Sequence, residues 1–376
     1  MGLAIPALTA HARVTFLACR ADAREHELVS QRRVAECLAA LLDCTFEERV
    51  RDLVRPSGSL GYVVPNETLE SLDAARALGI SSVDDLFGGV VPYPFVATKT
   101  ITHPLVSPQA AAPTGWCPEF AERVRAVVLP GMSAFAPGDA LAAGRQLMRD
   151  GEVRIKLASG IGGSGQSVAR NAAELDAQIA ALDPADIGRH GVVVERNLAD
   201  VRTHSIGLLR IGSLQASYFG TQRTTLSRHG KEVYGGSSLT VARCGLDALE
   251  RFTAAQGVRR AIAQARAYHA AAFECFSGMF ASRCNYDVAE GHDASGRPYS
   301  GVLEQSWRIG GASGAEVAAL QALRADAALQ VVRASTVEVH GPQGSLPEGA
   351  TLYFSGTDEH LGPITKYACL HADDSP

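Results

Sequence analysis

Residues 152–175 read EVRIKLASGIGGSGQSVARNAAEL, and this stretch decides how the rest of the chain is organised. The apolar alternation in EVRIKL predicts a strand, and GIGGSGQS is a glycine loop. Gly160, Gly162 and Gly165 satisfy GxGxxG, and the same residues nearly satisfy the P-loop pattern, but Gln166 stands where that pattern needs its lysine. A dinucleotide-binding loop requires a helix that opens directly at the glycines. Here the start signal comes later, because Asn171 with Glu174 three residues on resembles a capping box and sets the helix to begin near Ala172. QSVAR is left as a short strand. The order is therefore strand, glycine loop, strand, helix: a hairpin whose turn can fold over phosphates, with Lys156 aiming an ammonium at the same place. A Gly/Ser-rich hairpin turn with Lys156 in solvent satisfies the pattern equally well.

Upstream, RVTFLAC (13–19) and GYVVP (61–65) read as strands, and 25–42 and ETLESLDAARALG as helices, which suggests a small α/β unit over about 1–95. Residues 88–118 are rich in Gly and Pro and read as a linker or an extended crossing. RAVVLPG (125–131) looks like a strand and PGDALAAGRQLMRDG like a helix. Downstream, GVVVERNL is a strand, HSIGLLRIGSLQASYFG a long strand or hairpin, 247–281 a helical block and 314–333 a helix, with a β-like tail after it.

RCNYDVAEG and GVLEQSWRIGG pair naturally as strands around the polar turn HDASGRP, which brings Asp287 beside Glu304. Two carboxylates so placed repel unless a divalent cation lies between them. Alternation places Glu304, Ser306 and Arg308 on one strand face, with Val302 continuing it toward the interior. An exposed Glu–Arg pair on a solvated strand is the competing explanation.

The 376 residues carry a net charge of −5, which argues against a dedicated nucleic-acid or anionic-membrane binder. With 46% hydrophobic residues the chain can bury a sizeable core, and its length suggests two or three domains. No window reaches about 18 uncharged apolar residues, so no transmembrane helix is expected. The opening MGLAIPALTAHARVTFLACR has no basic run before its apolar residues, so no signal peptide is expected, and Pro6 stands where a myristoylation motif wants Ser or Thr. Eight scattered cysteines without a CxxC pair suit reduced thiols and a cytoplasmic protein. Only Lys99, Lys156, Lys231 and Lys366 are lysines among 35 basic residues, and a lysine where arginine is the default is there more often for its compact ammonium.

Lys156 with GIGGSGQS, then VVVERNL, NYDV and LEQSWRIGG, resemble in this order the motifs of the ATP-grasp superfamily, which includes biotin carboxylases, carbamoyl phosphate synthetases, D-alanine ligases and glutathione synthetases. ERNLADVRTHSIG is similar to the biotin carboxylase version. The resemblance covers about 95–320 and implies an α/β (α+β) ATP-grasp fold, two subdomains gripping ATP behind a small α/β unit. It divides the chain into a pre-ATP-grasp-like domain (1–95), an ATP-grasp domain (96–335, lid subdomain about 125–200) and a β-like C-terminal extension (336–376). It also implies roles. Lys99 and Lys156 would meet the phosphates together with Gly162, Gly163, Ser164, Gly165 and Gln166. Glu195 and Leu198 would line the adenine pocket, and Asp287 and Glu304 would hold Mg²⁺. Arg308 would be catalytic with Lys156, holding the γ-phosphate or an acylphosphate. Ser306 departs from the usual metal-binding Asn, which puts a second metal in doubt.

The implied activity is an ATP- and Mg²⁺-dependent carboxylate–amine ligase that forms an acylphosphate and releases ADP. A nucleotide-binding sensor or docking module without catalysis is the alternative, as is a kinase or carboxylase, although no biotin-carrier lysine is present. Expected partners are a small-molecule carboxylate and an amine, with no nucleic acid and no membrane, and with a homodimer allowed. GTQRTTLSRHGKEVYGGSS (220–238), with Arg223, Arg228 and Lys231, reads either as a grip on the carboxylate substrate or as a solvated hairpin loop. His103 and His204 read as structural.

Overall fold

The structure is a computed structural model and describes residues 8–20, 23–50, 60–158, 160, 165–226, 230, 232–341, 344–359 and 361–371. The chain begins with strand β1 (Arg13–Ala18), helix α1 (Glu25–Leu42), strands β2 (Thr45–Val50) and β3 (Tyr62–Pro65) and helix α2 (Leu72–Ala77). The three strands form a parallel sheet in the order β2-β1-β3. α1 repeats apolar residues at Val34, Ala35, Leu38, Leu41 and Leu42, so one stripe is buried, and it stops where Asp43 turns left-handed.

Next come strand β4 (Gly89–Val90), 3-10 helices at Pro94–Ala97 and Lys99–Thr102, and helix α3 (Pro118–Val124). The Gly/Pro-rich stretch is no linker. Val90, Val91, Val96 and Ile101 are buried, and the segment crosses the molecule through its interior.

A four-stranded antiparallel sheet follows: β5 (Gly131–Ala134), β6 (Val153–Leu157), β7 (Gln166–Ala169) and β8 (Val192–Arg196), in the order β5-β8-β6-β7. Helices α4 (Pro137–Leu147), α5 (Ala172–Ala180) and α6 (Pro184–His190) cover one face. Ile155, Val194, Leu147, Leu175 and Ile187 close a core of their own there. α5 starts as the sequence indicates: Asn171 Oδ1 accepts from Glu174 N at 2.9 Å, and Glu174 Oε2 accepts from Arg170 N at 2.9 Å. RAVVLPG is not a strand. Val127 N bonds back to Val124 O in a turn, and Val127 and Val128 pack instead against the core of the large sheet, so the ladder starts only at Gly131.

The large sheet contains β9 (Ala199–Ile211), β10 (Leu214–Leu226), β11 (Glu232–Ala242), β13 (Arg283–His292), β14 (Pro298–Ser306), β15 (Val331–His340), β16 (Thr351–Asp358) and β17 (Gly362–His371). Its order is β14-β13-β9-β10-β11-β15-β17-β16. Helices α7 (Gln256–Cys275) and α8 (Ser313–Ala325) pack on it, and a short β12 (Phe280–Ala281) pairs with β4. The helical block thus ends at Cys275, and the segment read as helix to 333 turns into strand at Val331. β15 runs across residue 335 and pairs with β11 and β17, so the C-terminal strands continue the large sheet. The N-terminal unit also shares a core with it, in which Phe16 and Leu38 join Leu320, Leu209 and Tyr218. The architecture is a mixed α/β arrangement of sheets and helices, as the resemblance implied.

Among the described residues, no helix is long and apolar enough to cross a membrane.

Candidate functional site

β13 and β14 are antiparallel neighbours, and Asp287 lies directly opposite Glu304. The register slips there: Val288 faces Val302, so Leu303 is the extra residue of a bulge. Strict alternation would keep Val302 on the face of Glu304. The bulge instead drops Val302 into the aromatic core beside Tyr286 and Trp307, while Glu304 stays with Asp287.

Asp287 accepts hydrogen bonds from Ser205 Oγ (2.9 Å), Gln222 Nε2 (2.9 Å) and Asn285 Nδ2 (3.0 Å). Burial and the Glu304 charge nevertheless raise its pKa above the ordinary carboxylate value. The carboxylate is therefore less stable in the fold than in solution. Asp287→Asn removes that charge and a cation ligand but turns an amide N–H toward one of these donors, so the two effects on the free protein oppose each other. The expected result is a melting temperature close to wild type with loss of any Mg²⁺-dependent shift, and an unchanged Mg²⁺ response would contradict this.

Lys99 comes from the buried crossing, and its ammonium is 2.9 Å from Glu304 Oε2 and 2.7 Å from Gly160 O. It thereby ties the large sheet to the glycine loop. Lys156 stands on β6, on the face opposite the Ile155 core, 2.5 Å from Glu195 Oε1 on β8. Burial works to raise the pKa of Glu195, but the Lys156 charge and a hydrogen bond from His103 outweigh it and hold the pKa down at about 2. His103 Nε2 lies 3.2 Å from Glu195 Oε2. His103 is thus in contact with a site residue, a position that a lone histidine in sequence does not advertise.

Other sequence-predicted residues are placed differently. Leu198 is buried just past β8. Gly165 adopts a left-handed φ of 66°, and its carbonyl accepts from Leu157 N at 2.9 Å to close the hairpin. Gln166 faces Lys156 in register, but its side chain accepts from Arg154. Gly162, Gly163, Ser164, Arg228 and Lys231 lie outside the described residues. Arg223 donates to Thr336 O at 3.3 Å rather than joining the acidic pair.

Arg308 lies past the end of β14, and its Nε is 3.2 Å from Glu67 of the N-terminal unit. Ser306 Oγ lies 3.3 Å from an Arg283 guanidinium nitrogen. That guanidinium is buried against Glu316, at 2.7 and 3.1 Å, and also donates to Arg308 O at 2.5 Å. Burial opposes its charge, and Glu316 more than offsets this, so its pKa lies above the ordinary value.

The donor set suits a hard divalent cation: oxygen ligands only, and two carboxylates whose mutual repulsion a cation would relieve. Among the described residues no cluster of three His, Cys, Asp or Glu could hold a metal, so further ligands would have to come from elsewhere, as phosphates and water do for Mg²⁺. A cation beside Ser306 would meet the Arg283 guanidinium, which fits one ion at Asp287 and Glu304 rather than two.

Residues 14–368 match the family described as Protein of unknown function (DUF3182). The chain belongs to that family. No curated protein matches it. Among solved structures, phosphoribosylamine–glycine ligase from Thermotoga maritima is similar at 13% identity and TM-score 0.46, over 96% of this chain and 93% of that one. D-alanine–D-alanine ligase from Bacillus anthracis is similar at 11% and TM-score 0.44, over 79% and 87%. The biotin carboxylase domain of a thermophilic 2-oxoglutarate carboxylase, bound to ADP, is similar at 12% and TM-score 0.34, over 96% and 87%.

Proposed function

We propose that this protein is an ATP- and Mg²⁺-dependent ligase that joins a carboxylate to an amine through an acylphosphate, with release of ADP and phosphate. One observation supports the reading: the buried Lys99 reaches both Glu304, which faces Asp287 on the large sheet, and Gly160 of the glycine loop, while the buried Lys156 on the small sheet is held by Glu195. A nucleotide bound among these groups would take over partners that the protein now supplies to itself. Lys156 would exchange Glu195 for the α- and β-phosphates, and Lys99 would exchange Glu304 for a phosphate oxygen. The freed Glu304, with Asp287, would hold Mg²⁺. Bound there, the cation would neutralise charge on the transferring phosphoryl group. Leu198 would pack on the adenine. Arg308 would have to leave Glu67 to reach an acylphosphate, which makes the end of β3 one wall of the acceptor site.

The tie between Ser306 and Arg283 favours a second reading, a nucleotide sensor without turnover. The two separate on ADP release: a ligase sustains it over many turnovers only when both an acid and an amine are supplied, because acid alone gives one acylphosphate and one ADP per site, whereas a kinase turns over with one acceptor and a sensor releases none. The first test is thermal melting with ATP, ADP and GTP, each with and without Mg²⁺. A ligand at 100 times its dissociation constant adds about 2.7 kcal/mol, and the expected result is a Mg²⁺-dependent upward shift with ATP. No shift with any nucleotide would overturn the reading.

A further inference from the structure

The crossing segment carries a second buried polar group besides Lys99, and this one meets the small sheet. His103 is fully buried, and its ring rests on β5 at Gly131, where a Cβ would come within 2.7 Å of it, so only glycine leaves room for the ring. Gly131 is in register with Glu195 on the neighbouring strand. The imidazole is thus held in the plane where it meets the carboxylate, Nε2 to Oε2 at 3.2 Å. Its Nδ1 is buried without a partner, which assigns the proton to Nε2, since the opposite tautomer would leave a buried N–H unmet and deprive Glu195 of a donor. Glu195 is therefore gripped on both oxygens, by His103 on one and by Lys156 on the other.

We propose that His103 is a positioning residue for Lys156, acting through Glu195; this rests on the reading of these groups as a nucleotide site. While Lys156 is bound to Glu195 the buried carboxylate is neutralised. When the ammonium turns to a phosphate, Glu195 loses its cation inside the protein, a costly state for a buried charge. The hydrogen bond from His103 remains through that exchange. It keeps one oxygen satisfied and fixes the carboxylate so that Oε1 faces β6, with the ammonium within reach of both partners. Without His103, Oε2 loses its donor, and Glu195 competes harder for Lys156 against the nucleotide.

The test is calorimetric titration of Mg-ATP and Mg-ADP into the full chain carrying His103→Phe or His103→Gln, in the wild-type and Lys156→Ala backgrounds. His103→Phe keeps the ring and removes the donor; it is expected to weaken both nucleotides about tenfold, the scale on which the outer partners of a ligating group act. His103→Gln restores a donor and is expected to bind within about threefold of wild type. In the Lys156→Ala background the loss from His103→Phe should shrink below about twofold, because the group it acts through is gone. Wild-type affinity in His103→Phe overturns the inference, as does a loss that persists in Lys156→Ala. A residue that merely fills the core would lower the melting temperature without this dependence on Lys156. If His103→Phe fails to fold, His103→Gln decides alone: the expected result is near-wild-type affinity, and a folded protein that binds tenfold more weakly overturns the inference. Failure of the wild type to bind either nucleotide overturns the nucleotide-site reading itself, whatever the variants do.

Discussion

Glu304→Gln is expected to lower ADP release about 100-fold, the effect of removing one electrostatic group from a preorganised site, and to abolish the Mg²⁺-dependent part of the ATP-induced melting shift. The free protein should melt near wild type, because the glutamine carbonyl still accepts from Lys99, whose other partner is Gly160 O. Lys156→Ala is the companion: it removes a phosphate ligand rather than a cation ligand, so it should weaken ATP with or without Mg²⁺. Titration of each variant with ATP at two Mg²⁺ concentrations separates the two effects. Unchanged affinity and unchanged Mg²⁺ dependence in both would refute the site.

Glu316→Ala is expected to cost about 3–5 kcal/mol, the largest stability loss foreseen for a single substitution, and should appear as a fall in melting temperature. The reason lies in what remains. Arg283 would keep its charge in the interior with its carboxylate gone, and Tyr218 and Ser313 would lose the acceptor they share in Glu316. Because the same guanidinium holds Arg308 O and touches Ser306 Oγ, the end of β14 should loosen too. Replacing both members, Arg283→Met with Glu316→Leu, should recover most of the loss, since no unpaired charge is then buried. Equal stability in Glu316→Ala and wild type would show that the pair contributes nothing.

What the sequence revealed of this site was local. The order of strand, glycine loop, strand and capped helix, and the pairing of Asp287 with Glu304, are both written within about 25 residues, where periodicity and turn chemistry act. What it hid was long-range or irregular. Nothing in LEQSWRIGG announces a bulge at Leu303, and the alternation that located Glu304 correctly therefore misplaced Val302. Arg308 was grouped with Glu304 by spacing, but a carboxylate more than 200 residues away, Glu67, claims its guanidinium. RAVVLPG covers a core and touches β14 through a single bridge, Val128 to Val302, so its strand composition builds no strand before Gly131. His103 carries no pattern of its own. The nearest signal is its place four residues after Lys99 in a segment whose glycines and prolines conceal how deeply it is buried.

That segment is sewn to both sheets. Gln305 Nε2 donates to the carbonyls of Val96 (3.0 Å) and Thr98 (2.8 Å), and Thr102 meets Tyr268 of α7 at 3.0 Å, all on the large-sheet side. Ser133 of β5 donates from Oγ to Thr100 O at 2.6 Å and from N to Pro104 O at 2.9 Å, on the small-sheet side. This stitching lies along β5, at one margin of the small sheet, and Lys99 adds a further stitch at Gly160, past the end of β6. The two fastenings differ in kind: along β5 the small sheet is held by the hydrogen bonds of Ser133, and at Gly160 by a single ammonium that Glu304 shares. A ligand that drew that ammonium away would undo one fastening and leave the other in place.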